Sequence, residues 1–223
     1  MLEVNNNVEI KSGLEWIKAA FRIFREKPVH FILLTIVYYI FVGLLPFLGP
    51  LFAAKFANLT LKVEKNEEVL IDDLYMGFFS NINVLKLSIL NAMIFLAVLV
   101  LKSLVASNLS SDSISVAGFN VNFYAEAINI IPMLILGLCM WFAPLICLFN
   151  PDITPFKAML LSLKGCGSNI LAFLIFFLIS MALLILATIP VCLGWFVLLP
   201  TINIATFFIY RSIFITPAEI SDK

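Results

Sequence analysis

The chain has one histidine, His30, among 223 residues. It stands at the mouth of the first apolar run, where a lone imidazole reads as a solvated end residue, and no second histidine exists to build a His-rich metal site. A Ser–His hydrolytic pair is not expected for the same reason. The four cysteines, Cys139, Cys147, Cys166 and Cys192, lack CxxC spacing and read as small apolar residues. No Asp or Glu lies inside any long apolar run, which argues against a proton relay at membrane depth. No Gly-rich phosphate loop is present, which removes ATP-driven pumping by this chain alone. Its 14 basic residues balance 14 acidic ones, so nothing favours nucleic acid as a partner. Together these shortages predict a protein that is not an enzyme and carries no cofactor and no metal.

What is abundant is apolar surface. Hydrophobic residues make up 62% of the chain, with 22 Phe and a mean hydropathy of +1.08. Soluble domains use roughly 45–50%. Apolar runs fall at 29–48, 49–63, 84–106, 129–149, 169–189 and 191–210, most of them near the ~20 residues that cross ~30 Å of hydrocarbon. The fold class expected is all-α: a polytopic membrane protein with six transmembrane helices over 29–211, a cytoplasmic segment 1–28 and a tail 212–223. The second run is short, about 22 Å of helix. The first run begins too late, and is followed too closely by the second, to read as a cleavable leader.

Lys and Arg gather on the cytoplasmic side of membrane proteins. With the N-terminus inside, twelve of the fourteen basic residues are cytoplasmic, and the exceptions, Lys55 and Lys102, lie within apolar runs. Both termini are therefore expected in the cytoplasm, with the base-free loop 107–128 outside. Short amphipathic stretches precede the odd-numbered runs. In "SGLEWIKAAFRIFREKP", Ser12 and Glu15 form a capping-box pattern, Leu14, Ile17, Phe21 and Phe24 share a face, and Lys18, Arg22 and Arg25 lie opposite. That pattern predicts a helix in the headgroup plane ended by Pro28. "TPFKAMLLSLKGCG" repeats it with Thr154 as N-cap, Pro155 first in the helix and Gly165 or Gly167 past its end; "IDDLYMGFFSN" is a weaker, acidic version. Matching Ile17–Phe21 to Phe156–Leu160, and Gly49–Asn58 to Gly194–Asn203, raises a possible duplication into hairpin repeats.

"EWIKAAFRIFREKP", "LPFLGPLF", "EKNEEVLIDDLYMGF", "WFAPLICL" and "FKAMLLSLKGC", in this order, resemble a family of small, uncharacterised bacterial inner-membrane proteins. The resemblance runs from about Gly13 to Arg211 and implies a topology and an inner-membrane location, with no activity or catalytic residue attached. This chain carries Asn66 where the family pattern has a glycine.

Uncharged polar residues within the apolar runs are the remaining candidates. Asn58, Asn91 and Asn203 could line one polar cavity with Lys55, or simply join helices by hydrogen bonds. Lys55 should lean toward the outer surface, where Asp112 and Glu126 are its candidate ion-pair partners. Two functions follow. The first is an accessory or scaffolding membrane component resting on the lipid bilayer, meeting other membrane proteins or a second copy of itself, with its acidic 64–73 loop offered to a basic partner. The alternative is a passive or facilitated transporter of a small solute, or a binder of a lipid headgroup.

Overall fold

The computed structural model describes residues 4–6, 8–9, 11–74, 77, 79–108, 114–116, 119–121, 123–189 and 194–214, without the side chains of 102 and 105–129. Eight α-helices carry the fold: α1 Ser12–Glu26, α2 Pro28–Leu44, α3 Gly49–Glu64, α4 Ile82–Asn108, α5 Phe123–Phe149, α6 Pro155–Ser168, α7 Ile170–Thr188 and α8 Trp195–Phe214. Two 3-10 turns, Pro46–Leu48 and Ile71–Leu74, flank α3. The only strands among the described residues pair antiparallel, β1 Ile114–Val116 with β2 Phe119–Val121.

Prolines set the breaks. Pro28 disfavours helical geometry at Lys27, which sits at φ −137°, ψ 57°, and the chain turns 107° from α1 into α2. Pro46 acts likewise on Leu45. Pro155 opens α6 behind an extended Thr154, as expected, but without a side-chain cap. Other end signals are corrected. α1 starts at Ser12 itself with no side-chain cap bond, so the Ser12–Glu15 capping box does not form. Gly165 and Gly167 lie inside α6; a Cβ on Gly165 would stand 2.7 Å from the Phe214 ring, so the glycine serves close packing rather than termination. The acidic third stretch forms only the turn Ile71–Leu74.

α3 ends in a Schellman arrangement, in which Asn66 N–H donates to the Val63 carbonyl and Glu67 N–H to the Lys62 carbonyl, both at 3.0 Å. Asn66 supplies the required left-handed residue at φ 55°, which asparagine tolerates and most L-residues do not. Asn66→Gly should therefore be neutral or slightly stabilising, whereas Asn66→Val should cost about 1–2 kcal/mol; thermal unfolding in detergent reads the difference.

Six apolar helices occupy the expected runs, but six crossings are not what length alone supports. Among the described residues, four helical segments are long and apolar enough to span a membrane: Ile82–Leu101, Ile130–Phe149, Ile170–Thr188 and Trp195–Phe214. α1 and α2 pass that test only together, across their bend. α3, with 16 residues, is instead the centre of the bundle, with Leu51, Phe52, Phe56, Leu59 and Val63 all buried. Around it, α4 and α7 turn outward side chains such as Met93, Leu96, Ile170 and Ile185, each more than 60% exposed. So much contiguous apolar surface suits hydrocarbon rather than water, as an integral membrane protein requires.

The amphipathic α1 docks on protein. Trp16, Ile17, Ala20, Ile23 and Phe24 are buried, while Leu14 and Phe21 are exposed, so the face expected to be shared by Leu14, Ile17, Phe21 and Phe24 is divided. The Trp16 ring packs on Phe173 and Phe176 of α7, and its Nε1–H donates to Ser212 Oγ of α8 at 2.8 Å. Before it, Asn5 N–H donates to the Ile213 carbonyl at 2.7 Å, and Asn169 Nδ2 donates to the Asn5 carbonyl at 2.8 Å. These bonds tie the start of the chain to the α6–α7 break and the end of α8.

α1 and α6 share a spacing of buried positions. Setting the break residues Lys27 and Asn169 in register places Trp16, Ile17, Ala20, Ile23 and Phe24 on Ala158, Met159, Ser162, Gly165 and Cys166, all buried. The sequence match of Ile17 with Phe156 is nearly one turn out of this register, because it aligned lysines rather than buried positions. Asn58 and Asn203 do not share an environment: Asn58 is exposed and Asn203 half-buried.

Candidate intramembrane cavity

A cavity of about 400 Å³ lies between α2, α3, α4, α5 and α8. Its existence follows from small residues at facing positions. Gly137 of α5 and Gly49 of α3 have open space where a Cβ would stand, and Ala53 and Ala57 continue the α3 wall. On α5, Gly137, Met140, Trp141 and Pro144 recur at spacings of three and four, so one helix face presents them all to the cavity. Pro144 has no N–H, so the Met140 carbonyl four residues earlier loses its helical donor on that wall.

Across α5, Ser162 of α6 accepts from Phe142 N–H at 3.0 Å and donates to the Leu138 carbonyl at 2.7 Å. The hydroxyl thus bridges two backbone groups that a helix pairs with each other. The segment 138–144 is opened by Pro144 on the cavity side and braced by Ser162 on the other. Cys166 packs nearby, with Sγ 3.8 Å from the Leu138 carbonyl, and burial pushes its thiol up to about 12.

The polar lining is uncharged. Asn203 Nδ2 donates to the Leu199 carbonyl at 2.9 Å, and the same side chain interacts with the Tyr39 phenol across the cavity. Thr206 donates to the Ile202 carbonyl at 3.4 Å. Asn91, on α4, makes no hydrogen bond among the described residues although it lines the cavity. The Trp141 indole Nε1–H is buried and also without a partner there. Leaving the buried indole N–H unmet costs about 1–3 kcal/mol; Asn91 is only half-buried. Tyr38, Phe56, Trp141 and Phe207 give the cavity aromatic walls.

Of the expected polar group, the structure brings Asn91 and Asn203 together and leaves Lys55 and Asn58 out of the lining. Lys55 is half-buried, and the charges that reach it belong to Asp73 and Lys62. Asp112 lies outside the described residues and so does the Glu126 side chain; the same holds for Cys192 and the side chain of Lys102. The other polar residues singled out within the apolar runs bond mostly within their own helices, as Thr60 does to the Phe56 carbonyl at 2.7 Å and Thr201 to the Val197 carbonyl at 2.6 Å. Interhelical hydrogen bonding is therefore not their main role. Sequence reading missed Tyr39, Gly137 and Trp141 as wall residues. The signal was the Gly–x–x–Met–Trp–x–x–Pro spacing that places small, aromatic and helix-opening residues on one stripe.

On the cavity wall, Phe207 carries the Arg211 guanidinium 5.6 Å from its ring centre. Arg211 Nη1 reaches both carboxylate oxygens of Glu64 at 2.6 Å. Beside this pair, Lys62 Nζ lies 2.6 Å from Asp73 Oδ1. That hydrogen bond, then the Leu70 N–H, then the charges of Lys62 and Lys55, hold the Asp73 carboxyl below its usual range. The chain matches no family model, no curated protein and no solved structure, so the meaning of this cavity rests on its own geometry.

Proposed function

We propose that this integral membrane protein binds a small uncharged solute in the cavity between α2, α3, α4, α5 and α8 and lets it cross the bilayer. The observation that carries the reading is Asn91, whose amide has no hydrogen-bond partner among the described residues and stands on the wall of a cavity that also holds Asn203, Tyr39 and Thr206. A volume of about 400 Å³ lies within the usual ~300–1,000 Å³ of small-molecule sites. With no carboxylate, lysine or arginine in the lining, a charged solute would be left unpaired in a low dielectric, so the preferred ligand is neutral, with hydrogen-bonding groups and an apolar face.

In this reading all six apolar helices cross. α3 is short because protein rather than lipid surrounds it, so bilayer thickness does not dictate its length. The distribution of basic residues puts both termini in the cytoplasm, and the family resemblance favours a bacterial inner membrane. The accessory reading keeps less support, because Glu64 and Asp73 of the acidic segment are already engaged by Arg211 and Lys62.

A Cβ at Gly137 would meet nothing within 4 Å, so Gly137→Leu should project into the cavity. In proteoliposomes, swelling driven by glycerol or urea should be fast with the wild type and return to the protein-free rate with Gly137→Leu and Asn91→Leu. Equal swelling rates for wild type and a folded Gly137→Leu variant would sink the proposal.

A further inference from the structure

The exposed surface of α1 divides into sectors that match the layers of a bilayer surface. At about 100° per residue, Trp16, Ala20, Ile23, Phe24 and Ile17 occupy an arc of about 120°, and all are buried on α7 and α8. Beside that arc come Leu14 and Phe21, 41% and 43% exposed. Next come Lys18, Arg25 and Arg22, and beyond them Glu15 and Glu26, all exposed. The order around the helix is thus protein, apolar, basic, acidic. A helix lying along a membrane surface against its own bundle meets protein, hydrocarbon, phosphate and water in that order.

Two further observations point the same way. The 107° bend sets α1 nearly perpendicular to α2, hence along the bilayer surface when α2 crosses it. Lys18, Arg22 and Arg25 make no ion pair among the described residues, whereas Lys11, just before the helix, is paired with Glu9 at 2.8 Å. On α6, Phe156 and Leu160 likewise lie exposed beside Lys157 and Lys164, which make no ion pair among the described residues.

We propose that α1 is a docking surface for anionic phospholipid: Leu14 and Phe21 enter the acyl region while Lys18, Arg22 and Arg25 bind headgroup phosphates. This surface is separate from the cavity and does not depend on solute passage. Because Trp16 and Asn5 fasten α1 to α8, anionic lipid bound there also holds the end of α8 and stabilises the bundle.

The test uses full-length protein in mild detergent, titrated with phosphatidylglycerol or phosphatidylcholine and followed by native mass spectrometry and melting temperature. Phosphatidylglycerol should bind more tightly and raise the melting temperature. Each base removed should weaken it about fivefold, from the ~1 kcal/mol that one surface base contributes, so Lys18→Gln/Arg22→Gln/Arg25→Gln should lose roughly a hundredfold. Lys65→Gln, an exposed base at the end of α3, should lose nothing. Raised salt should weaken phosphatidylglycerol binding to the wild type, and inorganic phosphate at matched concentration should not displace it, since it lacks acyl chains. Equal affinity of the wild type for the two lipids overturns the proposal, as does displacement by phosphate alone. An unchanged phosphatidylglycerol affinity in the triple variant overturns it too. Because wild-type binding and its salt dependence are read without any variant, a misfolded triple variant does not shield the idea.

Discussion

Arg211→Met should lower the stability of the bundle by roughly 2–3 kcal/mol, between the ~0–1 of an exposed ion pair and the ~3–5 of a fully buried one. The Arg211 and Glu64 side chains are 22% and 28% exposed, so water screens the pair only partly. Removing the guanidinium strands the Glu64 carboxylate at the end of α3, where the helix dipole is also unfavourable to a negative charge. It also removes the cation from the Phe207 ring, which lines the cavity. The discriminating variant is the double replacement Glu64→Gln/Arg211→Met, which leaves no charge behind. If the cost comes from the stranded carboxylate, the double variant recovers most of the roughly 5–10 °C loss in melting temperature. If both variants melt alike, the loss comes from the Arg211–Phe207 contact within α8 rather than from a stranded carboxylate between α3 and α8.

How far the sequence foretold the fold depends on what kind of signal each element used. Apolar runs and prolines are local, and they placed α3, α4 and α7 to within about two residues and α2, α5 and α8 to within about six, including the break at Lys27 ahead of Pro28. Amphipathic periodicity announced α1 but not its partner, since a face of Trp16, Ile17 and Phe24 is equally satisfied by lipid or by α7 and α8. The short second run looked like a problem of bilayer thickness because its surroundings are tertiary information. Once α3 is seen enclosed by its neighbours, the shortage disappears.

The site was half legible. Polarity within apolar runs singled out Asn91 and Asn203, which do meet at one cavity, and also Lys55 and Asn58, which do not line it. Polarity alone carries no rotational position, and Asn58 differs from its neighbours Ala57 and Leu59 in being exposed. The reach of Asp73 to Lys55 was hidden because Asp73 comes back through the turn Ile71–Leu74, a tertiary return that no periodicity announces. Helix-breaking residues proved informative in combination: Pro144 alone reads as a kink, whereas Pro144 with Gly137 and Trp141 on one stripe reads as a wall.

Gly13→Val should have the largest effect of any single substitution on α1, at roughly 3 kcal/mol or more, because the added atoms meet helix backbone as well as the Ile175 side chain. A Cβ at Gly13 would stand 2.9 Å from Phe176 N and 3.2 Å from the Ala172 carbonyl oxygen. Overpacking a well-filled contact typically costs ~1–3 kcal/mol when side chains can adjust, and a helix backbone has less room to adjust than a side chain. The expected relief is a displacement of the start of α1 from α7, which would pull Trp16 off Phe173 and Phe176 and break its bond to Ser212. Trp16 fluorescence should then redden, best read in a background where Trp141 and Trp195 are Phe, and proteolysis should reach the segment before α1 at Lys11. Gly13→Ala is the graded companion, with the same Cβ clash and no branches, so it should fall between wild type and Gly13→Val. If Gly13→Val keeps the wild-type melting temperature and Trp16 emission, α1 does not depend on this close approach to α7. The lipid surface formed by Leu14, Lys18, Phe21, Arg22 and Arg25 would then have to be held in place by Trp16 and Asn5 alone.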